Sequence, residues 1–433
     1  MQYYSTNGQV PSASFQEALF RGLAPDGGLY MPSSIPQLPE GFFEELHTKT
    51  LPEIGTAVAG HFVEDEIPGA DLEALVGEAM NFEIPLVNVE EQTHTLELFH
   101  GPTRSFKDVG ARFMSRAMGW FNRGGGREVT VLVATSGDTG SAVANGFLGV
   151  EGVRVVLLYP SGKVSHIQEQ QLTTLGQNIT ALEVEGVFDD CQRMVKAAFV
   201  DQELSQALRL TSANSISIGR LIPQSFYYFH AVGQLGKGAE PPVICVPSGN
   251  FGNLTGGLIA HRMGLDVARF VAATNANAVV PDYLASGEFQ PRPSVRTLSN
   301  AMDVGNPSNF VRMLELFDHD VDKMRATIQG HAFDDRMTMH MLAFTQKRTG
   351  YLMDPHGAVG LLGLLKSRGD HHGPEIFLET AHPAKFGDVI EEHLGEPVPL
   401  PDDLAVCLQK TKQTVKVGSR NEDLKAFLMD VVR

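Results

Sequence analysis

Apolar positions along this chain follow two periods, and the change from one to the other divides it. Directly after Ser14, a residue type that caps helices, apolar side chains recur at helical spacing from Phe15 to Leu23. The stretch Gly22–Pro39 is dense in Gly and Pro and reads as irregular. Residues 1–92 as a whole read as helical and rich in loops. From Leu96 onward, short runs of Val, Ile and Leu alternate with helix-like segments. The runs are "VTVLVA" (Val129–Ala134), "VRVVLLY" (Val153–Tyr159), "NITALEV", "PVICV" (Pro242–Val246), "RFVAAT" (Arg269–Thr274) and "EIFLET" (Glu375–Thr380). Helices are expected in "SAVANGFLG" and near Ser165–Leu175, Asp189–Phe199 and Leu254–Met263. Such alternation predicts an α/β chain with parallel sheets. The expected division is an N-terminal extension over 1–92, a small α/β domain over 93–236 and a large one over 237–433.

Ligands of parallel sheets bind at the carboxyl ends of strands. Three polar loops fall there: 135–140, 247–253 and 380–385. In "TSGDTGSA", the backbone amides and the hydroxyls of Thr135, Ser136 and Thr139 can cradle an anion. In "PSGNFGN", Gly249 and Gly252 permit close backbone approach, and the amides from Gly249 to Asn253 can wrap a phosphate. Neither loop is a GxGxxG dinucleotide fingerprint or a GxxxxGK[ST] P-loop, and each by itself also suits a plain turn before a helix. Two cradles favour one ligand with two anionic ends, or two anionic ligands. A further oddity lies in "LELFHGPTRSFKDVGARFM" (Leu96–Met114), which runs from a strand through Gly101 and Pro102 into a helix near Phe106. Lys107 stands at the helix start, where the dipole disfavours a cation. A lysine useful as a neutral amine suits that place, and the Schiff-base lysine of a pyridoxal-phosphate enzyme is such a lysine.

Composition narrows the choice. The 433 residues are 42% hydrophobic and 20% charged, ordinary for a soluble enzyme, and no apolar run approaches the roughly 20 residues of a membrane span. A formal charge of −17 argues against nucleic acid and anionic membranes as partners. It also requires that any anionic ligand be held by local donors. The first residues, MQYYSTNGQV, lack the features of a signal peptide. Three scattered cysteines, Cys191, Cys245 and Cys407, argue against a disulfide framework and for the cytoplasm. With no CxxC and no HExxH, no metal is expected, and His371-His372 reads as a solvated loop.

The chain resembles the threonine synthases, in their bacterial and fungal branch with a long N-terminal region. The stretches that carry the resemblance are "LELFHGPTRSFKDVGARFM", "VATSGDTGSAVA", "YPSGKVS", "TSANSISIGRL", "VPSGNFGNLTGG", "ATNANAVVP", "TLSNAMDVGNPSN" and "TAHPAKF". Together they span Gly22 to about Glu392; the chain beyond about Leu394 carries no matching motif.

The resemblance implies fold type II pyridoxal-phosphate architecture, like the tryptophan synthase β chain, and conversion of O-phospho-L-homoserine and water to L-threonine and phosphate. By motif, Lys107 is the Schiff-base lysine, with Lys385 of "AHPAKF" the next candidate. Gly249, Asn250, Phe251 and Asn253 cradle the cofactor phosphate, and Thr380 faces the pyridine nitrogen. Ser136, Asp138 and Thr139 lie at the substrate carboxylate, although a carboxylate at Asp138 would repel it and is expected to face backbone amides. Lys163, Asn214, Ser215 and Arg220 are the candidates for the substrate phosphate. Glu379 replaces the small residue expected before the threonine. The competing readings are a fold type II serine or threonine dehydratase-like lyase, a non-catalytic amino-acid or nucleotide sensor and a nicotinamide oxidoreductase. The extra N-terminal region could cover a dimerisation surface, so a monomer is expected.

Overall fold

The structure, a computed structural model, describes residues 1–125, 127–135, 137–369 and 371–431. It resolves into two compact units that are discontinuous in sequence. One comprises Met1, Met31–Phe106 and Leu221–Pro399; the other comprises Gln2–Tyr30, Lys107–Arg220 and Leu400–Arg433. The division does not follow the expected segments 1–92, 93–236 and 237–433. The reason is strand pairing over long sequence distances, which periodicity does not encode.

The first unit holds a six-stranded sheet. Its order is Ile328–Ala332, Arg269–Thr274, Val243–Pro247, Glu375–Glu379, Thr93–Glu97 and Leu86–Glu90. All neighbours are parallel except the last pair, which is antiparallel. A boundary at residue 92 would therefore cut a hairpin. The Pro355–Ser367 helix lies against this sheet, capped by Asp354, whose carboxylate accepts from His356 and Gly357 N–H. A Cβ at Gly363 would stand 2.7 Å from Cys245 Sγ, so the glycine sets how closely helix and sheet approach.

The second unit holds a wholly parallel five-stranded sheet in the order Val415–Val417, Ile179–Val184, Val153–Pro160, Val129–Ala134 and Arg209–Thr211. Its three central strands, Ile179–Val184, Val153–Pro160 and Val129–Ala134, are buried almost throughout, as their continuous apolar runs require. The chain's C-terminal segment belongs here. Val415–Val417 is the edge strand, and the Asn421–Val431 helix buries Leu424 and Leu428 against Leu132, Val156, Leu182 and Met194. Each such leucine contributes about 1.5–3 kcal/mol by burial.

Most expected elements form. Phe15–Arg21 is a helix with a reciprocal capping box between Ser14 and Glu17. The Gly- and Pro-dense stretch is irregular apart from a short strand, Tyr30–Pro32. Among the described residues, no helix is long and apolar enough to cross a membrane, and no cluster of three or more His, Cys, Asp or Glu side chains could hold a metal.

Candidate active site

The segment before Lys107 is fixed by backbone pairing to the end of the Glu375–Glu379 strand. Phe106 N–H donates to Thr380 O (2.9 Å), and His382 N–H donates to Arg104 O (3.0 Å). Lys385, buried, donates from Nζ to Thr103 O at 2.8 Å. Two motifs nearly 300 residues apart are thus one local structure, and Lys385 serves it as a strut. Lys107 opens the Lys107–Asn122 helix. Its side chain is half-buried, with Nζ 3.8 Å from Asp138 Oδ2.

Asp138 is the first residue of the Asp138–Phe147 helix and is buried. Its other oxygen accepts from Gln168 Nε2 at 2.8 Å. Among its contacts are thus a side-chain amide and the lysine. Gln168 was missed in the sequence; its signal is the run of glutamines following the Ser165 cap, of which Gln168, Gln170 and Gln171 are buried. Thr135, also buried, braces this loop, its hydroxyl accepting from Gly137 N–H (3.1 Å) and Gly140 N–H (2.8 Å). Thr139 lies half-buried in the first helical turn, and Ser136 lies outside the described residues.

The 249–253 loop is built differently. Asn253 Nδ2 donates to Pro247 O (2.8 Å), while its Oδ1 accepts from Ser248 Oγ (2.9 Å) and Leu254 N–H (3.0 Å). Asn250 Oδ1 accepts from Ser308 N–H. The Asn253 amide therefore holds the loop in shape, and the Asn250 oxygen ties it to Ser308. What remains for an anion is backbone: Gly252 and Asn253 open the Gly252–Arg262 helix, where first-turn N–H groups have no intrahelical acceptor. Phe251 sits in the left-handed region at φ 60°, a conformation that costs a non-glycine residue about 1–3 kcal/mol. A Cβ at Gly249 would stand 2.6 Å from Met302 Cα, so only glycine lets the loop approach the Asn300–Met302 turn. Asp303, just after that turn, accepts from Thr297 N–H (3.0 Å), Thr297 Oγ1 (2.7 Å) and Asn275 Nδ2 (2.9 Å). These contacts explain why "ATNANAVVP" and "TLSNAMDVGNPSN" occur together. Behind the loop, Arg312 is fully buried and donates to Asn309 Oδ1 at 2.8 Å. Burial pulls its pKa down to about 9, so it stays charged at neutral pH.

Thr380 follows the buried strand end and is 6% exposed. Its carbonyl is taken by Phe106, while its hydroxyl makes no hydrogen bond among the described residues. Glu379, fully buried, is accommodated because residue 357 is glycine: a Cβ there would fall 1.5 Å from Glu379 Oε2. Glu379 Oε1 accepts from Asp354 N–H, and Oε2 has no hydrogen-bond partner among the described residues. Burial, then the Asp354 carboxylate, pushes the Glu379 carboxyl well above the ordinary range.

Of the substrate-phosphate candidates, Lys163 is exposed on the turn after Val153–Pro160. Asn214 and Ser215 are half-buried, and Asn214 Oδ1 has no hydrogen-bond partner among the described residues. Arg220 is buried and donates from Nη1 to Ala213 O at 2.7 Å. Burial pulls its pKa down to about 10, and the nearby Asp108 carboxylate opposes that. It is a charged guanidinium with one arm committed to the fold.

Comparison with known proteins gives the family. The family profile "Threonine synthase N terminus" matches residues 2–80, "Pyridoxal-phosphate dependent enzyme" matches 91–378, and "Threonine synthase, C-terminal" matches 357–428. The threonine synthase of Haemophilus influenzae is 45% identical over 430 residues, covering 99% of this chain and 100% of the relative. The chain belongs to the threonine synthase family. The crystal structure of threonine synthase from Escherichia coli superposes with a TM-score of 0.93 at 41% identity, covering 100% of both chains. The pyridoxal-phosphate-bound threonine synthase of Brucella melitensis does so with a TM-score of 0.95 at 34% identity, again covering 100% of both. Membership of the threonine synthase family makes this a pyridoxal-phosphate-dependent lyase of fold type II. The residues fit that cofactor. The first-turn amides with the buried Arg312 behind them suit a phosphate, and the unbonded Thr380 hydroxyl suits a neutral ring nitrogen.

Proposed function

We propose that the substrate is O-phospho-L-homoserine, which the enzyme converts with water into L-threonine and inorganic phosphate. The observation that carries this reading is Lys107 at a helix start, 3.8 Å from a buried carboxylate. Pyridoxal phosphate, when bound, supplies an electron sink conjugated to the substrate Cα. The chain's own residues do the rest. Lys107 would hold the cofactor covalently at rest. With the cofactor in place, the Lys107 amine would take the Cα proton, remove one from Cβ and deliver one to Cγ as phosphate leaves and water adds at Cβ. Asp138 orients the lysine from one side, itself held by Gln168. Backbone N–H groups from Gly249 to Asn253 hold the cofactor phosphate, with Asn250, Phe251 and Asn253 shaping that loop. The Thr380 hydroxyl would meet the ring nitrogen as a neutral partner, since a hydroxyl cannot form an ion pair with a protonated ring. Ser136 and Thr139 hold the substrate carboxylate. Lys163, Asn214, Ser215 and Arg220 hold the substrate phosphate, an attraction that must be local in a protein of charge −17. We place the enzyme in the cytoplasm, supported by three unpaired cysteines, and read it as a monomer.

The test is product analysis. Incubation with O-phospho-L-homoserine is expected to release threonine and phosphate in equal amounts. A dehydratase-like lyase would instead make a 2-oxo acid and ammonia from serine or threonine. Arg220→Ala is expected to lose about 2–4 kcal/mol of transition-state stabilisation in kcat/KM while keeping the cofactor's visible spectrum. Loss of cofactor, or full retained rate, would remove Arg220 from the phosphate site.

A further inference from the structure

The C-terminal segment carries no motif of the reaction, yet one of its residues reaches the flanks of a proposed substrate loop. Lys412 lies between the Asp402–Leu408 helix and the Val415–Val417 strand. Its Nζ bonds two carboxylates: Glu169 Oε1 at 2.6 Å and Glu183 Oε2 at 2.8 Å. Glu183, near the end of the Ile179–Val184 strand, is buried. Its other oxygen accepts from Ser161 Oγ at 2.6 Å, and Ser161 N–H donates to Val184 O at 2.9 Å. Glu169 lies in the first turn of the His166–Thr173 helix. The two carboxylates therefore flank the stretch 161–165, Glu183 through Ser161 at its start and Glu169 on the helix that follows it. Lys163 stands between them. The ammonium also lies 5.7 Å from the centre of the Tyr159 ring. The segment is tethered beside it by Gln413 N–H donating to Thr173 O at 2.7 Å.

We propose that Lys412 is a positioning residue for the substrate phosphate: it ties both flanks of the Ser161–Ser165 loop and neutralises carboxylate charge that would otherwise repel a dianion held by Lys163. The proposal rests on the reading that Lys163 meets that phosphate. Lys412 itself touches neither substrate nor cofactor. Contact with Lys412, then Ser161, holds the Glu183 carboxyl down at about 2, so it is ionised at neutral pH. Without Lys412 the buried Glu183 carboxylate would lose the ammonium bonded to it while staying bonded to Ser161, at the start of the Ser161–Ser165 loop.

Kinetics of the cofactor-loaded enzyme test this with O-phospho-L-homoserine as substrate, alongside calorimetric binding of inorganic phosphate. Lys412→Met is expected to raise KM and the phosphate Kd about tenfold, with kcat within about twofold and the visible spectrum unchanged. Lys412→Arg should keep most of the affinity. The double variant Lys412→Met with Glu183→Gln should recover most of the loss, because the unpaired charge is gone. If Lys412→Met leaves KM and Kd unaltered, the proposal is wrong. It is equally wrong if the double variant binds as weakly as the single one, since the effect would then be structural. Should Lys412→Met fail to fold, the double variant decides: affinity near wild type supports the proposal, and tenfold weaker binding overturns it. Lys163→Ala separates this from the underlying reading. If that change leaves KM and Kd untouched, the phosphate assignment itself has failed. If it weakens both while Lys412→Met does not, only the present proposal has.

Discussion

The loops at 135–140 and 249–253 occupy the same place in their respective units, the step from a buried parallel strand to a helix, and are made from opposite materials. The 249–253 loop is neutral. Its Asn253 side chain is spent on its own shape, the Asn250 oxygen on Ser308, and the helix start offers backbone N–H. The 135–140 loop uses a hydroxyl, Thr135, for its shape and presents a carboxylate, Asp138, toward a lysine. A loop that holds a fixed anion needs only oriented dipoles, whereas a loop beside a proton-moving amine needs a charge to orient it. A motif residue can therefore serve by building the cradle or by touching the ligand, and only the hydrogen bonds tell which.

The sharpest way to break this contrast is at Asn253. Asn253→Ala removes three bonds within the loop, and each buried group left unpaired costs about 1–3 kcal/mol. Cofactor affinity, measured by equilibrium dialysis, is expected to fall at least about 100-fold. Retained affinity would mean that the loop holds its shape without the side chain. At the other loop, Asp138→Asn keeps the bond geometry toward Gln168 and removes the charge beside Lys107. The expected outcome is a kcat about tenfold lower with cofactor affinity unaltered, the worth of one charge-assisted contact. An effect on cofactor affinity and none on kcat would erase the distinction drawn between the loops.

Much of this was legible in the sequence because it is local. The Ser14–Glu17 capping box, the buried strands and the helix starting at Lys107 follow from spacing and residue type within a few positions. Contacts made over long chain distances were not legible. Nothing near Asp138 indicates Gln168, thirty residues on, and no sequence motif in the C-terminal segment indicates Lys412 on Glu183. The interleaving of the two units was lost for the same reason. Glu379 shows the middle case. Its oddity was visible, but its explanation, the missing side chain at Gly357, lies on a neighbouring helix.

Glu379 also gives the smallest expected effect. Its folded carboxyl titrates well above the ordinary value of an unfolded chain, because of burial and the Asp354 charge. A group shifted in that direction contributes stability that is fully present below the unfolded value and is lost as pH rises toward the folded one. Glu379→Gln does not titrate, so it is expected to melt a few degrees above wild type near about pH 8 and level with it near about pH 4. A constant difference across that range would show that the carboxyl is ionised in the fold.

The central claim is that Lys107 is the residue bonded to the cofactor, and borohydride tests it most directly. The purified, cofactor-loaded protein is expected to show a visible imine band that disappears on reduction, after which peptide mass analysis finds the cofactor on Lys107 alone. Lys107→Ala should then lose turnover and carry no label. A reduced cofactor found on Lys385 instead, or a Lys107→Ala variant that is still labelled and active, would contradict the account.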